Sequence, residues 1–311
     1  MAGGDPPGGA TGGASRAGQA VNQGAFPVLS RRLVNVLPDS WYLRLAYRRA
    51  SGRFLRLSRP RTFNDKIQWC KLYYRDPILT KLTDKYEVRQ YVVEKKLTGI
   101  LNDLYGVYDS ADDIDFSALP DRFVIKATHG SKMNIICKDK YVLDFDKTRN
   151  LLRDWEKTNY FYHSREWAYK NIKPRFVCEK FLENKEYDEL VDYKYYCFSG
   201  KPEMFFACTN RFGEDGVRYE AFDLAWNKIE VYKGRPTSIL NLKKPENFEE
   251  MNRIAARLCK DFPFVRVDLY SVDNKTYFGE LTFYPDAGMI PFSPDEYNYK
   301  FGDLLVLPGK V

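Results

Sequence analysis

Four side chains with the right types for phosphate and metal chemistry lie near the C-terminus, in FPFVRVDLYSVDNKTYFGELTFYP (residues 262–285). Two β-prone runs flank a short polar DNK turn in this stretch, and that pattern predicts a β-hairpin. If the hairpin is centred on the turn, Asp268 faces Glu280 and Arg266 faces Thr282. The sequence therefore predicts two acids and a guanidinium on one face of a hairpin.

The spacing of the two acids leaves two interpretations open. Directly opposed residues have Cβ atoms about 5 Å apart, and two carboxylates that close repel unless a cation or a shared proton lies between them. Val265, Val267 and Leu281 make the other face apolar, so the polar face can hold Mg²⁺ together with phosphate oxygens. The alternative is an ordinary solvated face, because antiparallel hairpins often turn one polar face to water.

The helices that must support this hairpin are predicted mainly in the first third of the chain. Residues 27–118 are predicted to be mainly helical, and Asp84 with Glu87 resembles a capping box opening a helix to about Lys96. A second helical stretch, residues 147–172, is dense in aromatic side chains. Both core packing and stacking on a ligand are open for these aromatics.

The strands are predicted in short antiparallel pairs. They cover residues 123–126, 134–137, 175–182 and 193–208. Between the first two, Gly130 and Ser131 lie in a tight loop whose backbone N–H groups can bind phosphate oxygens, with a plain turn as the alternative. An amphipathic helix over residues 248–261 leads into the C-terminal hairpin. Antiparallel strands with helices set apart indicate an α+β fold.

The composition of the chain sets further limits. The first 25 residues contain almost no large apolar side chain, so we expect a disordered tail or an artificial extension over residues 1–26. The six cysteines form no CxxC pair and most have apolar neighbours, which indicates buried free thiols and a reducing, cytoplasmic compartment. With only His129 and His163 available, a zinc site is not expected and both histidines are assigned structural roles.

One arginine-rich stretch accounts for the net charge of +7. Arg31–Arg61 contains nine arginines and a single acid, Asp39, interleaved with aromatic and leucine side chains. Such a stretch can lie on an anionic membrane surface or bind a polyanionic substrate, and a helical lobe with solvated arginines is the third possibility. Nucleic acid is not expected as a partner, because the remainder of the chain is not basic.

Taken in order, the motifs of the chain resemble the ATP-grasp superfamily, and within it the TupA-like branch named for teichuronopeptide biosynthesis. The resemblance rests on RTFNDKIQW, LTDKYEVRQYV, ATHGSKMNIICKDK, REWAYKNIKP, EKFLE, DYKYYCF and FPFVRVDL…YFGELTFYP, which span roughly residues 59–305. It implies an α+β ATP-grasp fold in which two subdomains clasp ATP. These subdomains are expected over residues 119–182 and 183–311, after the mainly helical region 27–118.

The resemblance also implies which residues contact ATP. Lys85 and Lys126 match two lysines that reach the phosphates, and Glu186 matches an acid that binds the ribose. Lys194 matches a further phosphate-contacting lysine more loosely. The resemblance also implies a loop that covers the phosphates, with His129, Gly130 and Ser131. It implies a segment that holds the adenine, with Glu179, Lys180, Phe181 and Leu182.

For the hairpin, the resemblance implies that Asp268 and Glu280 are Mg²⁺ ligands. It implies that Arg266 and Lys126 are the catalytic residues that steady negative charge. Many ATP-grasp ligases have Asn two residues after the second acid, where this chain has Thr282. Thr282 is a third candidate metal ligand, but its single hydroxyl is a weaker one, which bears on whether one or two ions bind.

The reaction implied by the resemblance is activation of a carboxylate by ATP and Mg²⁺, followed by attack of an amine to give an amide. Because the branch is associated with cell-surface polysaccharide, the expected acceptor is an anionic glycan or its precursor, which receives an amino acid. The alternative is an ATP-grasp kinase that phosphorylates a sugar hydroxyl. Either enzyme is expected in the cytoplasm, with peripheral contact to the inner membrane face as a further expectation for Arg31–Arg61.

Overall fold

A computed structural model of the protein describes residues 37–184, 186–187, 189–211, 213 and 216–309. The tail predicted over residues 1–26 lies outside the described residues, and so does the start of the arginine-rich stretch, up to residue 36. Within the described part of the chain, no helix has the length and apolar character needed to cross a lipid bilayer.

The strands of the described chain form two sheets, and the helices pack around them. The α-helices are α1 (Asp39–Ser51), α2 (Phe63–Tyr73), α3 (Pro77–Thr83), α4 (Val88–Glu94), α5 (Phe145–Glu156), α6 (Phe161–Ser164), α7 (Phe248–Cys259) and α8 (Glu296–Leu304). The strands are β1 (Leu104–Tyr108), β2 (Phe123–Ala127), β3 (Asn134–Cys137), β4 (Phe176–Lys180), β5 (Asp192–Phe198), β6 (Lys201–Thr209), β7 (Arg218–Asp223), β8 (Phe264–Val272) and β9 (Lys275–Thr282). All named strand pairs are antiparallel, which confirms the α+β prediction.

The smaller sheet has four strands in the order β1–β4–β2–β3. Its core is a separate apolar cluster that includes Ile114, Phe116, Phe123 and Phe176. Because β1 and Ile114 precede residue 119, the boundary predicted at residue 118 falls inside this unit. The region predicted as mainly helical thus also supplies an edge strand, whose five residues include Gly106 and give only a weak sequence signal.

The larger sheet has five strands in the order β7–β6–β5–β8–β9, and its two faces differ in character. Tyr195, Val267 and Leu281 are buried on the apolar face, in the same core cluster as the buried side of α7. Side chains alternate along each strand, so Lys194 and Asp268 project from the opposite face. The predicted chemistry therefore lies on the face turned away from the α7 core.

α2 anchors the loop that follows the C-terminal hairpin. Asn64, Gln68 and Lys71 are buried on this helix and donate hydrogen bonds to backbone carbonyls within residues 287–290. Ala287 has a left-handed backbone with a φ of 54°, a conformation that persists only where neighbours over-determine it. The helix thus fixes the path of the chain directly after β9.

The capping box predicted from Asp84 and Glu87 is not found at the start of α4, which begins at Val88 with Glu87 as an N-cap whose side chain makes no capping bond. Asp84 caps the turn that precedes the helix. Asp84 Oδ1 accepts hydrogen bonds from the backbone N–H groups of Tyr86 and Glu87 at 2.8 and 3.2 Å, as a cap does. The Glu87 carboxylate instead accepts from Arg175 at 2.8 Å, and Arg175 also donates to Asp84 at 2.9 Å. A charge-assisted bond to a distant arginine replaces the expected bond to the backbone, and the helix ends at Glu94, two residues before the predicted end.

Candidate active site

The C-terminal hairpin has the predicted pairing at its polar end, but this pairing results from a shorter turn combined with a β-bulge. β8 and β9 are joined by the two-residue turn Asp273-Asn274, in which both residues are left-handed, with φ of 49° and 59°. This turn alone would displace the predicted register by one residue, and a bulge that leaves Gly279 unpaired restores it. Asp268 therefore pairs with Glu280, as predicted.

Arg266 joins the polar side chains of the hairpin into one cluster. Its guanidinium donates two hydrogen bonds of 2.7 Å to Asp268, one of 3.1 Å to Glu280 and one of 3.0 Å to the Thr282 hydroxyl. Thr282 in turn donates to Glu280 at 2.7 Å. Burial lowers the pKa of Arg266, but the Asp268 and Glu280 carboxylates outweigh burial and hold that pKa well above its usual value. A cation thus relieves the repulsion that the facing acids would otherwise have.

Lys194 extends this cluster into the sheet. Its Nζ lies 2.6 Å from Asp268 and 2.5 Å from Asp192, so the ammonium bridges two carboxylates. Burial lowers the pKa of Lys194, but Asp192 and Asp268 raise it more. Arg211 donates to Asp192 and to the Tyr270 hydroxyl, both at 3.3 Å. Sequence reasoning missed Asp192 and Arg211, although the acid two residues before Lys194 in DYK was a usable signal.

Lys85 links the hairpin cluster to the loop between β2 and β3. Its Nζ donates to the carbonyl of Gly130 at 2.6 Å. Burial lowers the pKa of Lys85, and Glu280 opposes that shift. Burial alone would raise the pKa of Glu280, but Arg266, Lys85 and Lys194 together lower it to about 2. Side chains from three parts of the chain thus act on one carboxylate.

Lys126 and Glu179 form a separate pair on the smaller sheet. The Lys126 Nζ lies 2.6 Å from the Glu179 carboxylate, and Arg89 flanks that carboxylate at 3.9 Å. Burial lowers the pKa of Lys126, but Glu179 raises it more, so the lysine keeps its charge. Arg89 was not predicted as part of this site.

The segment predicted to hold the adenine comprises the last two residues of β4 and the two that follow, beside a cleft of about 340 Å³. Both the N–H and the C=O of Lys180 make hydrogen bonds, at 3.0 and 2.8 Å, with residues just before β1. The Arg122 guanidinium lies 4.4 Å from the centre of the Phe181 ring, and Leu182 is half-buried. Lys180 and Phe181 line the cleft, but the hairpin acids do not.

The loop between β2 and β3 contains the predicted phosphate-covering residues. His129 is buried, and its Nε2 donates to a backbone carbonyl of α5 at 2.9 Å, which agrees with the structural role expected for it. A Cβ at Gly130 would meet the sulfur of Met133, so a larger residue there would require the Met133 side chain to move. The Ser131 hydroxyl bonds to Tyr160, whose own hydroxyl lies near Glu280.

Two further predicted features lie in different surroundings. Within the aromatic stretch 147–172, Tyr160 and Tyr169 have ring centres 4.7 Å apart, and burial raises the pKa of both hydroxyls, with Glu280 adding to the rise. Glu166 raises the pKa of both hydroxyls as well, so the two rings lie within electrostatic range of Glu166 and Glu280, and both core packing and stacking on a ligand stay open for this stretch. Glu186 is half-exposed and pairs with Lys243 at 3.1 Å, so the structure does not bring it to the acids of the hairpin.

The hairpin offers two carboxylates and one hydroxyl, and these donors fit Mg²⁺ in their chemistry. Within the described residues, no group of three or more His, Cys, Asp or Glu side chains is arranged to hold a metal ion. Mg²⁺ usually binds through one or two carboxylates plus the phosphates of its substrate, so a full protein cage is not needed. The donor set therefore suits an ion that enters together with a nucleotide.

Comparison with known proteins adds to this geometry. A family model described as TupA-like ATPgrasp matches residues 65–306. A search of curated proteins found no match to the sequence. D-alanine–D-alanine ligase from Bacillus anthracis complexed with ATP is 14% identical over 65% of this chain and 55% of that chain, with a TM-score of 0.40. L-amino acid ligase from Bacillus licheniformis is 15% identical over 73% of this chain and 50% of that chain, with a TM-score of 0.43. The chain thus spans about half the length of these solved structures.

Proposed function

This chain belongs to the TupA-like ATP-grasp family, and from that premise we propose that it is an ATP- and Mg²⁺-dependent carboxylate–amine ligase. The observation that carries the proposal is the hairpin cluster, in which the Arg266 guanidinium contacts Asp268, Glu280 and Thr282. Buried charges in this density cost stability, and they concentrate where a protein does chemistry.

The proposed reaction passes through an acyl phosphate. A carboxylate oxygen of the substrate attacks the γ-phosphorus of ATP, and the bond to the bridging oxygen breaks to release ADP. The amine of the second substrate then attacks the acyl carbon, phosphate leaves, and the nitrogen loses a proton to give an amide. Arg266 and Lys126 contribute fixed positive charge where oxygens become more negative. No side-chain nucleophile is required.

Asp268 and Glu280 would hold Mg²⁺ in this proposal, with Thr282 as a weaker oxygen ligand. The ion would neutralise charge on the phosphates of ATP. Arg266 and Lys194 contact the Asp268 oxygens at 2.7 and 2.6 Å in this structure. The ATP phosphates would offer both cations alternative partners, which would release the carboxylate for the ion.

The remaining contacts to ATP are proposed from the smaller sheet and its loops, from Lys85 between α3 and α4, and from Lys194 on the larger sheet. Lys85, Lys126 and Lys194 would bind phosphates, and His129, Gly130 and Ser131 would form the cover above them. Because both backbone groups of Lys180 already make hydrogen bonds, Phe181 and Leu182 are the better candidates to meet the adenine. Glu179 and Glu186 complete the proposed set as the acids near the adenine and the ribose.

We propose that the acceptor is a carboxylate on an anionic cell-surface polysaccharide or its precursor, and that the amine is an amino acid. Family membership supports this assignment by analogy. All six cysteines are buried free thiols, which supports a reducing compartment such as the cytoplasm. Peripheral contact with the inner membrane face through Arg31–Arg61 would bring the enzyme to membrane-linked precursors.

The second candidate is an ATP-grasp kinase that phosphorylates a sugar hydroxyl. Thr282 is where the two candidates are hardest to separate, because this chain lacks the Asn that many ATP-grasp ligases carry two residues after the second acid. Both candidates use the same nucleotide site. They differ in whether the γ-phosphoryl group is released or remains on the acceptor.

The test follows that phosphoryl group. The protein is incubated with ATP, Mg²⁺, a uronic-acid oligosaccharide and a mixture of amino acids, and products are analysed by mass spectrometry and phosphate release. A ligase releases phosphate only when an amine is present and adds an amino acid to the acceptor, whereas a kinase leaves a phosphoryl group on it.

A matched pair of variants controls the experiment. Arg266→Ala should abolish ATP turnover, and Arg257→Ala, which removes an exposed arginine of α7, should not. Equal turnover by Arg266→Ala and wild type would overturn the proposed site for both candidates.

A further inference from the structure

The outward side of α1 combines large apolar and basic side chains. Leu43, Ala46 and Tyr47 bury one side of this helix in the core. On the opposite side, Trp41 is 60% exposed and Leu45 is 59% exposed. These two residues are four apart, so they lie one turn above the other on the same stripe. A surface helix normally presents polar residues here, so the stripe requires an explanation.

Arginines share this stripe. Arg44 and Arg48 follow Trp41 by three and seven residues and are exposed, as is Arg49. The helix ends at Ser51 and is capped by the left-handed Gly52, and Phe54 just beyond it is 77% exposed. The Arg48 guanidinium lies 4.3 Å from the centre of the Phe54 ring, which joins this second aromatic to the stripe.

The charge of the stripe is not balanced by acids of its own segment. No Asp or Glu occurs from residue 40 to residue 64. Asp39 at the start of α1 is committed to Arg165 at 3.0 Å and Arg75 at 3.6 Å. Asp295 pairs with Arg53 at 2.5 Å, next to the stripe. The exposed arginines of α1 therefore present a basic field around the apolar side chains.

We propose that the α1 stripe, Trp41, Arg44, Leu45, Arg48, Arg49 and Phe54, binds the surface of a lipid bilayer that contains anionic lipids. Aromatic and leucine side chains can enter the boundary between headgroups and acyl chains, while arginines reach the lipid phosphates. An anionic polysaccharide would match the arginines and could stack on the aromatics. It would gain nothing from an exposed Leu45, so the composition favours a bilayer.

This inference rests on the peripheral membrane contact proposed above for Arg31–Arg61 and deepens it, because it names the side chains that make the contact and the class of lipid they need. The stripe lies outside the hairpin cluster, so the inference predicts binding without any substrate of the ligase. It would set the orientation of the protein, with α1 parallel to the membrane plane. Membrane binding by α1 does not involve the hairpin acids, nor does it involve the loop that is expected to cover ATP.

The experiment measures co-sedimentation of the full chain with vesicles of phosphatidylcholine, with and without an equal share of phosphatidylglycerol. We expect binding to the anionic vesicles only, weakened at high salt. Arg44→Gln/Arg48→Gln/Arg49→Gln should reduce the affinity by about 100-fold, since each basic residue near such a surface contributes about fivefold. Trp41→Ser/Leu45→Ser/Phe54→Ser should abolish binding at the same salt concentration.

The control removes a different pair of exposed apolar side chains. Tyr141 and Val142 are 82% and 76% exposed on the smaller-sheet side of the chain, and Tyr141→Ser/Val142→Ser should bind as wild type does. Quenching of Trp fluorescence by brominated lipid should occur in wild type and fall in Trp41→Ser.

Three outcomes would overturn the proposal. One is binding that ignores the anionic lipid, and another is binding that survives the apolar triple variant. The third is equal affinity of wild type and the apolar variant for a soluble uronic-acid polymer with no vesicle binding, which would assign the arginines to a glycan. ATP turnover measured in the same preparations reports on the ligase proposal separately.

Discussion

Two lysine–carboxylate pairs of equal length lie on the two sheets, yet they are built differently. Lys126 and Glu179 are 2.6 Å apart on the smaller sheet, and Lys194 and Asp268 are 2.6 Å apart on the larger one. The first pair joins residues diagonally across β2 and β4, whereas the second joins residues directly opposite each other on β5 and β8.

The surroundings of the two pairs decide what each can do. Lys126 and Glu179 are 25% and 10% exposed, and Arg89 is a distant third partner at 3.9 Å. Lys194 and Asp268 are 10% and 2% exposed, and both share their charge with further buried partners. Although the two pairs have the same N–O distance, removing one charge should not destabilise the protein equally in the two places. A change in the buried network leaves several charges unbalanced.

The largest effect is expected from Asp268→Asn. This change keeps the shape of the side chain but leaves Arg266 and Lys194 with one acid fewer between them. We expect the free energy of unfolding in urea to fall by about 3 kcal/mol. We also expect ATP turnover to fall by about 10³-fold, because the proposed metal ligand is lost.

Asp295→Asn is the matched control. Asp295 is 55% exposed and pairs with a single arginine at 2.5 Å, so its loss should change stability by less than about 1 kcal/mol. If both variants lose the same unfolding free energy, the buried network on the larger sheet contributes no more to stability than a single exposed ion pair does.

The second prediction concerns the bulge that sets the register. A Cβ on Gly279 would lie 2.9 Å from the backbone carbonyl oxygen of Asp268 and 3.1 Å from the Tyr270 ring. Gly279→Ala should therefore destabilise the protein by about 2 kcal/mol. It should lower ATP turnover by about 10- to 100-fold, because displaced acids no longer face each other correctly.

Gly99→Ala controls for the loss of a glycine alone. A Cβ there meets no atom within 4 Å, so stability should stay within about 0.5 kcal/mol of wild type. Full activity in Gly279→Ala would show that the register at the bulge is not needed for function.

The hairpin also shows how far the sequence alone reaches. The predicted facing of Asp268 with Glu280 is confirmed, although the prediction assumed a three-residue turn. The actual turn is one residue shorter and the bulge at Gly279 adds one residue back, so the two departures cancel at the polar end. Alternation of apolar and polar residues decided which face each side chain is on, because a slip by one residue would have turned the charged side chains into the apolar core that contains Val267 and Leu281.

Contacts between strands distant in sequence were beyond prediction. DYK gave a local signal for Asp192, but its place in the network depends on β5 lying beside β8, and strand order is not written in local patterns. Arg211, in the loop after β6, gave no such signal. The same holds for Lys71, whose carbonyl partner on Ala287 is 216 residues away. The local sequence pattern predicted that Glu87 caps a helix, but its carboxylate instead accepts a hydrogen bond from Arg175, which is distant in sequence.

The third prediction addresses the pair on the smaller sheet. Lys126→Met keeps most of the apolar stem and removes the charge, and Arg89 remains beside Glu179. We expect a loss of unfolding free energy of about 1 kcal/mol, since Arg89 still balances Glu179. We also expect a kcat about tenfold lower and a KM for ATP about tenfold higher, because Lys126 is proposed both to bind the phosphates and to stabilise charge in the transition state. Lys173→Met, which removes an exposed lysine paired with Asp109 at 2.9 Å, should leave all three quantities unchanged. A stability loss as large as that of Asp268→Asn would erase the contrast between the sheets.

The smallest expected effect is the pH dependence of stability that Glu280 contributes. Its pKa is lowered from 4.5 to about 2, because Arg266, Lys85 and Lys194 outweigh the effect of burial. A carboxylate whose pKa is lower in the folded state stabilises that state above its ordinary pKa, and this contribution disappears as the pH falls through the folded value. The side chain is 38% exposed, so we expect screening to limit the contribution to about 1 kcal/mol.

Urea unfolding of wild type and Glu280→Gln at a series of pH values measures this contribution. The difference between the two proteins should be constant above about pH 5 and shrink as the pH falls from about 4.5 to about 2. Glu203→Gln is the control, because Glu203 is equally exposed at 38% but pairs with a single lysine at 3.6 Å. If Glu280→Gln and Glu203→Gln behave alike, three cations do not act together on Glu280. The cluster on the larger sheet would then be a set of separate pairs, like the pair of Lys126 and Glu179.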